Sequence, residues 1–199
     1  MASPRYVPTR LAERTLADIV RWRADHTELA QPELLAAGRH VAQVAGRHRQ
    51  SVLSGVMSCV EVFSSGLLLD LRPEVGEQEV FSWQKREKAW REHLGLELRD
   101  LPVWAVLCGF IEARNAILHG LGALTNPQLG ITGGKPRNYN RREETLTSLR
   151  AANVRLDADR VIIGDNDVIR CVNTANSFVR ELDAHAYAAQ LNLPARTGA

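Results

Sequence analysis

One run constrains this chain more than any other. Leu101 to Thr125 (LPVWAVLCGFIEARNAILHGLGALT) is nearly all apolar and reads as a buried helix. It begins after Pro102 and runs out at Gly120 and Gly122, proline inside the start and glycine past the end. Val103, Leu107, Phe110, Ile117 and Leu121 recur at spacings of four and three and share one face. Arg114 falls on that same stripe. A guanidinium cannot shed its proton, so its burial requires an anion or several acceptors. A polar line of Glu112, Asn115 and His119 projects from a neighbouring face, at spacings of three and four. Arg114 and His119 stand roughly 140° apart around the helix, within reach of a common group for a long arginine.

Arg114-Asn115-Ala116-Ile117-Leu118-His119, followed by Gly120, resembles the Arg-x4–6-His signature of HEPN domains, in the form with asparagine after the arginine. The spacing alone carries little, since it recurs at Arg21/His26, Arg86/His93 and Arg180/His185. Only the pair at 114 and 119 has the following asparagine, the apolar helix before it and the glycine ending after it. The resemblance implies a mainly α, HEPN-like helical bundle that dimerises around the motif. It further implies a metal-independent endoribonuclease acting as a toxin, a host-defence effector or an RNA processor. A non-catalytic HEPN module that binds nucleotide, RNA or a protein partner is the alternative. Implied partners are RNA, a second copy of the chain, and an antitoxin or regulatory protein. The order of elements resembles that of the stand-alone HEPN group related to RiboL-PSP-type proteins, firmly over about 51–121 and loosely beyond.

A length of 199 residues suits a single domain, and 45% hydrophobic content supports a core. The expected arrangement is an N-terminal helical extension over about 8–50 and a HEPN core over about 51–191. A formal charge of +2 neither demands nor excludes nucleic acid, so RNA would need a local basic patch. Cys59, Cys108 and Cys171 are odd in number and sit in apolar runs, as free thiols of a reducing cytoplasm do. Met1 to Arg10 has no apolar core of a signal peptide. The apolar run at 52–71 is broken by Glu61 and serines and reads as a core helix, with no membrane partner expected.

In chain order, 11–29 reads as an amphipathic helix, and Pro32 can open the next one. Val52, Val56, Val60, Phe63 and Leu67 form a core stripe. Beside it Ser54, Ser58, Glu61 and Ser65 form a small-residue line that admits another helix closely. Glu61 is the only charge between Gln50 and Asp70. It either pairs with Arg114 or faces a solvent groove. His40, Arg47, His48 and Arg49 make a basic edge suited to phosphate rather than a metal site. Over 79–94, Val80, Trp83, Trp90 and Leu94 form one helical face, while Lys85, Arg86, Lys88 and Arg91 alternate with Glu87 and Glu92 as a solvated face.

The stretch 124–142 reads as irregular. Its Lys135, Arg137, Arg141 and Arg142 surround Tyr139 without an acid, a composition that suits RNA contact and equally suits a soluble loop. A short helix over 143–152 and a small β-hairpin turning at Asp157-Ala158-Asp159 follow. The closing helix, 165–191, buries Val168, Val172, Ala175, Val179, Leu182 and Ala186.

Three groups fit RNA cleavage by its own 2′-hydroxyl. His119 suits general acid–base work, Arg114 suits charge on phosphate, and Asn115 suits orienting either. Glu61 and Glu112 would support them. No cofactor is expected and no metal, because converging carboxylates are absent beyond Glu112. No serine sits on a G-x-S-x-G elbow, and Cys108 lies on the apolar helix, so neither supplies a nucleophile. The competing structural reading is that Arg114 only ties helices through Glu61 and His119 only helps to end one.

Overall fold

The computed structural model describes residues 7–28, 40–132, 135–136 and 139–192. Their elements are α1 (Arg10–Glu28), α2 (Val41–Leu71), α3 (Trp83–Leu94), α4 (Trp104–Gly120), β1 (Ile131–Thr132), β2 (Lys135–Pro136), α5 (Tyr139–Ala151), β3 (Arg155–Asp157), β4 (Arg160–Ile162) and α6 (Asp165–Asn192). Single 3-10 turns at Glu77–Glu79 and Leu98–Asp100 flank α3. The chain is a mainly helical bundle with a small antiparallel hairpin before its last helix, as the periodicity predicts.

The centre of the bundle is α2, which packs on α1, α4 and α6. Its predicted stripe of Val52, Val56, Val60, Phe63 and Leu67 is buried throughout. By length and apolar composition α2 would suffice to cross a membrane, and half of its most apolar stretch is buried inside the fold. The predicted inner face of α6 is likewise buried from Val168 to Ala186. Two glycines bring helices close. A methyl on Gly55 would stand 2.2 Å from the Trp22 ring of α1, and one on Gly109 would stand 2.2 Å from the Ser148 carbonyl oxygen of α5. The N-terminal helix is pinned to the last one by Asp183, fully buried, which accepts from the Thr9 hydroxyl at 2.6 Å and the Thr9 amide at 2.9 Å.

α4 ends where the sequence places its stop. Gly122, at φ 92°, returns its amide to the Ala116 carbonyl at 2.9 Å, six residues back. Leu121 corrects the sequence reading. It takes the left-handed conformation at φ 51° just beyond the helix and is 84% exposed, so it leaves the buried stripe. The β3–β4 hairpin pairs Leu156 with Val161 and turns at Ala158-Asp159. It is sewn to the end of α4 by Val161 N–H to Gly122 O (2.8 Å) and Leu124 N–H to Asp159 O (2.7 Å).

The stretch expected to be irregular is partly ordered. β1 and β2 form a two-residue antiparallel ladder, and α5 begins at Tyr139, four residues before the expected start at Glu143. Arginine and glutamate are good helix formers, and after Pro136 nothing in the run breaks a helix. Arg141 and Arg142 therefore sit in a first helical turn rather than on a loop.

Candidate functional site

Arg114 lies on α4 opposite Glu61 of α2, and the two form an ion pair. Arg114 Nη2 stands 2.9 Å from Glu61 Oε2, and Nη1 donates to Oε1 at 3.2 Å. Both side chains are largely buried, at 17% and 21% exposure, and Glu61 pairs with Arg114 while its remaining surface faces the cleft described below. Trp83 on α3 donates its indole N–H to the same Oε1 at 3.0 Å. Glu61 is thus held by two helices, and it fixes the guanidinium of a third element.

A second arginine completes the cluster. Arg86, expected on a solvated face, is 4% exposed. Its guanidinium lies 4.3 Å from the Trp83 ring centroid, and Nε donates to the Val80 carbonyl at 3.2 Å. Burial pulls it down to about 10, the charge of Glu61 opposes that, and the charge of Arg114 adds to it. It stays a cation at neutral pH. The sequence did hold a signal: Arg86 is three residues after Trp83 and four before Trp90, on the face those tryptophans define. Trp90 is fully buried as expected, whereas Trp83 is partly exposed at the site.

Glu61, Trp83 and Arg114 open onto a cleft of about 930 Å³, which Arg86 does not line. Arg114, Asn115 and His119 all line it, together with Glu112, Arg141 and the partly exposed Trp83. At its rim Phe81 is 81% exposed, a residue that carries no periodic signal in the sequence. Asn115, His119 and Arg141 also line an adjoining hollow of about 640 Å³ walled by Thr125 to Gln128. His119 lies exposed in the last turn of α4, open to a ligand in either space.

Glu112 and Arg141 differ from their expected roles. Glu112 is 7% exposed, and Oε2 accepts from Gln128 Nε2 at 2.7 Å while Oε1 accepts from Arg141 Nη2 at 2.5 Å. Gln128, itself buried, also bonds the Glu112 carbonyl oxygen at 2.8 Å, and its own carbonyl oxygen accepts from the Thr145 hydroxyl at 3.2 Å. Glu112 therefore braces α4 against α5 and the intervening loop. Arg141, expected as a phosphate contact, is held by that carboxylate, with Glu144 3.6 Å away. Arg142 turns instead towards Asp159 on the hairpin, at 3.6 Å. Arg137 and the side chains of Lys135 and Tyr139, the other expected RNA contacts, lie outside the described residues.

The other Arg/His spacings assemble nothing similar. Arg21 is exposed and paired with Asp18 at 3.0 Å, and the His26 side chain lies outside the described residues. Arg180 and His185 are exposed, and the His185 ring stands 2.8 Å from the Glu181 carbonyl oxygen. His93 sits 3.5 Å from Glu79. Among the described residues no three His, Cys, Asp or Glu side chains converge as a metal site would require. All three cysteines are free thiols, Cys171 buried and the other two half-buried. Burial, reinforced by Glu87 and Glu112, pushes the Cys108 thiol up to about 12, so it is no thiolate at neutral pH. No family model, curated protein or solved structure matches this chain.

Proposed function

We propose that this chain is a HEPN-type, metal-independent endoribonuclease, active as a toxin, defence effector or RNA processor. The observation that carries the reading is the convergence of Arg114, Asn115 and His119 on one cleft, with Glu61 fixing Arg114 from behind. Two arginines, Arg114 and Arg86, share the single carboxylate Glu61. Arg86 is buried and does not line the cleft, so Arg114 is the member of the cluster that a phosphodiester there would meet.

In the reaction the 2′-oxygen loses its proton and attacks the adjacent phosphorus. The P–O5′ bond breaks, the 5′-oxygen takes up a proton, and a 2′,3′-cyclic phosphate remains. His119 serves the proton transfers, Arg114 meets the charge on the non-bridging oxygens, and Asn115 orients one or the other. One chain offers one exposed imidazole here, while the reaction takes a proton at one oxygen and delivers one at another. A homodimer with both motifs in one cleft supplies two. Leu118, exposed and four residues on from Arg114, and Leu121, exposed just past the helix end, offer apolar surface beside the motif for that pairing.

The second reading, a non-catalytic module for nucleotide, RNA or a protein partner, draws support from the outer cleft. There Arg99 is paired with Glu87 at 3.1 Å and Arg141 with Glu112, so the rim carries no surplus of cations. Incubating purified protein with mixed RNA in EDTA separates the two. The endonuclease produces fragments ending in cyclic phosphate, and His119→Ala slows this by about two to four orders of magnitude while the fold is kept. RNA left whole by the parent, or cut as fast by the variant, removes the catalytic reading.

A further inference from the structure

A second pocket lies at the same helix end. Gln43, Gly46, Arg47 and Gln50 of α2, Ile117 and Leu121 at the end of α4, and Arg160 of β4 enclose a pocket of about 520 Å³. Four carboxylates line the main cleft: Glu61, Glu87, Glu112 and Glu144. The lining of this pocket has two arginines, two glutamines and no carboxylate among the described residues. Asp157, cross-strand from Arg160, does not line it.

The donors converge on a glycine. Arg160 Nη2 and Gln50 Nε2 lie 3.4 Å and 3.6 Å from the point where a Cβ of Gly122 would stand. Gly122 has none, and its φ of 92° disfavours any other residue, so the space between the guanidinium and the amide stays open. Arg160 is oriented by donating to the Leu121 carbonyl at 2.9 Å, which also offsets the negative end of the α4 dipole near the pocket. Arg47 adds an exposed cation from α2. Its neighbour Arg49 is instead held by Asp165 at 2.8 Å and 2.9 Å.

Ile117 and His119 are two residues apart, roughly 200° around α4. Ile117 of the pocket and Arg114 and His119 of the cleft all stand on the last turns of α4, so the two spaces share one helix end. We propose that the Arg47–Gln50–Arg160 pocket holds a backbone phosphate of the same RNA strand whose scissile phosphate lies beside Arg114 and His119. The strand passes over the Gly120-Leu121-Gly122 turn, and this site sets its register. The assignment rests on the reading of the cleft as an RNA-cleaving site.

The test uses the full chain and a single-stranded 2′-O-methyl oligonucleotide of about ten nucleotides, which binds without being cut. Its affinity is followed by fluorescence anisotropy across a KCl series. Arg47→Ala, which disturbs no contact named here, is expected to weaken binding about fivefold at ~0.1 M salt and to flatten the slope of log K on log salt by about 0.7. Arg160→Ala should do the same, with circular dichroism checking the α4 end that it braces. Arg47→Ala should cut a dinucleoside monophosphate at the parent rate, because that substrate is too short to reach the pocket. An unchanged salt slope in Arg47→Ala and Arg47→Glu overturns the assignment even where cleavage is intact. A parent that binds polyglutamate and not the oligonucleotide makes a protein acid the ligand and overturns it too. A cleft that proves inactive, with the Arg47 salt dependence still present, sinks the nuclease and leaves this site standing.

Discussion

Glu61 is the pivot of the site, and removing its charge has a cost that can be ordered in advance. In Glu61→Gln Arg114 loses its ion-pair partner, and Arg86 loses the favourable field of the same carboxylate. Removing one partner of a fully buried pair costs about 3–5 kcal/mol. Arg114 and Glu61 keep 17% and 21% exposure, so water relieves part of the penalty, and the glutamine carbonyl still accepts one bond. About 2–3 kcal/mol is the expected loss. Arg114→Met should be milder, at about 1–2 kcal/mol, because Glu61 keeps the Trp83 N–H and the field of Arg86. The double variant should therefore be more stable than the two losses summed, with a coupling of about 1 kcal/mol. Urea unfolding followed by circular dichroism is the assay, since an uncharged denaturant leaves ion pairs unscreened. Additivity within about 0.3–0.5 kcal/mol would refute the pairing as an energetic contact. An Arg114→Met that costs more than Glu61→Gln would refute the part given to Arg86.

Substitution of His93 or His185 by alanine should leave RNA cleavage within about twofold of the parent, in contrast to His119→Ala; a comparable loss would show that the helix context does not select the active pair. Gly109→Ala should destabilise the bundle by about 1–3 kcal/mol in the same unfolding assay, since its methyl would meet the Ser148 carbonyl oxygen, and an unchanged midpoint would mean that α5 yields freely. The Cys108 thiol stays protonated at all pH values well below about 12, so its alkylation at pH 8 should run roughly three orders of magnitude slower than that of an ordinary thiol; mass spectrometry showing labelling at the free-thiol rate would contradict its burial. Dimers mixed from parent and His119→Ala chains should cut RNA far less than half as well as the parent if the cleft is shared, and activity at half the parent rate would make each chain independent.

The helices were legible because their burial follows a single period. The inner stripes of α2 and α6 can be read residue by residue, and each is buried where it was expected. The arginine on the α4 stripe was legible as an anomaly, and the one acid in a long uncharged run was its natural partner. Arg86 obeys the same logic and was obscured by its neighbours, because lysines and glutamates alternating around it resemble a solvated face. The pairing of Arg141 was hidden for another reason. Its partner Glu112 lies 29 residues away on a different helix, and a local composition without acids says nothing about acids brought in by the fold. Phe81 and the Arg47–Arg160 pocket depend on where separate elements meet, and periodicity within one element carries no information about that.

The contrast among the four Arg/His spacings shows what the motif needs in physical terms. Arg21 and Arg180 lie in solvent, where water screens the charge and no neighbour restricts its position. Arg86 is buried, but the histidine seven residues later sits with Glu79 away from the cleft. Only at Arg114 does one helix place a cation under partial burial, beside a carboxylate that fixes its fork, while its last turn carries an imidazole to the open side of the same cleft. Burial strengthens the field of the arginine, and exposure leaves the imidazole open to a ligand in the cleft. Those demands are opposite, and a helix that is deeply packed at its middle and ends in solvent satisfies both within five residues. The glycine ending is therefore as much part of the site as the two charged side chains. It stops the helix one residue after His119, and Gly122, without a Cβ, leaves room beside Arg160 and Gln50 at the same helix end.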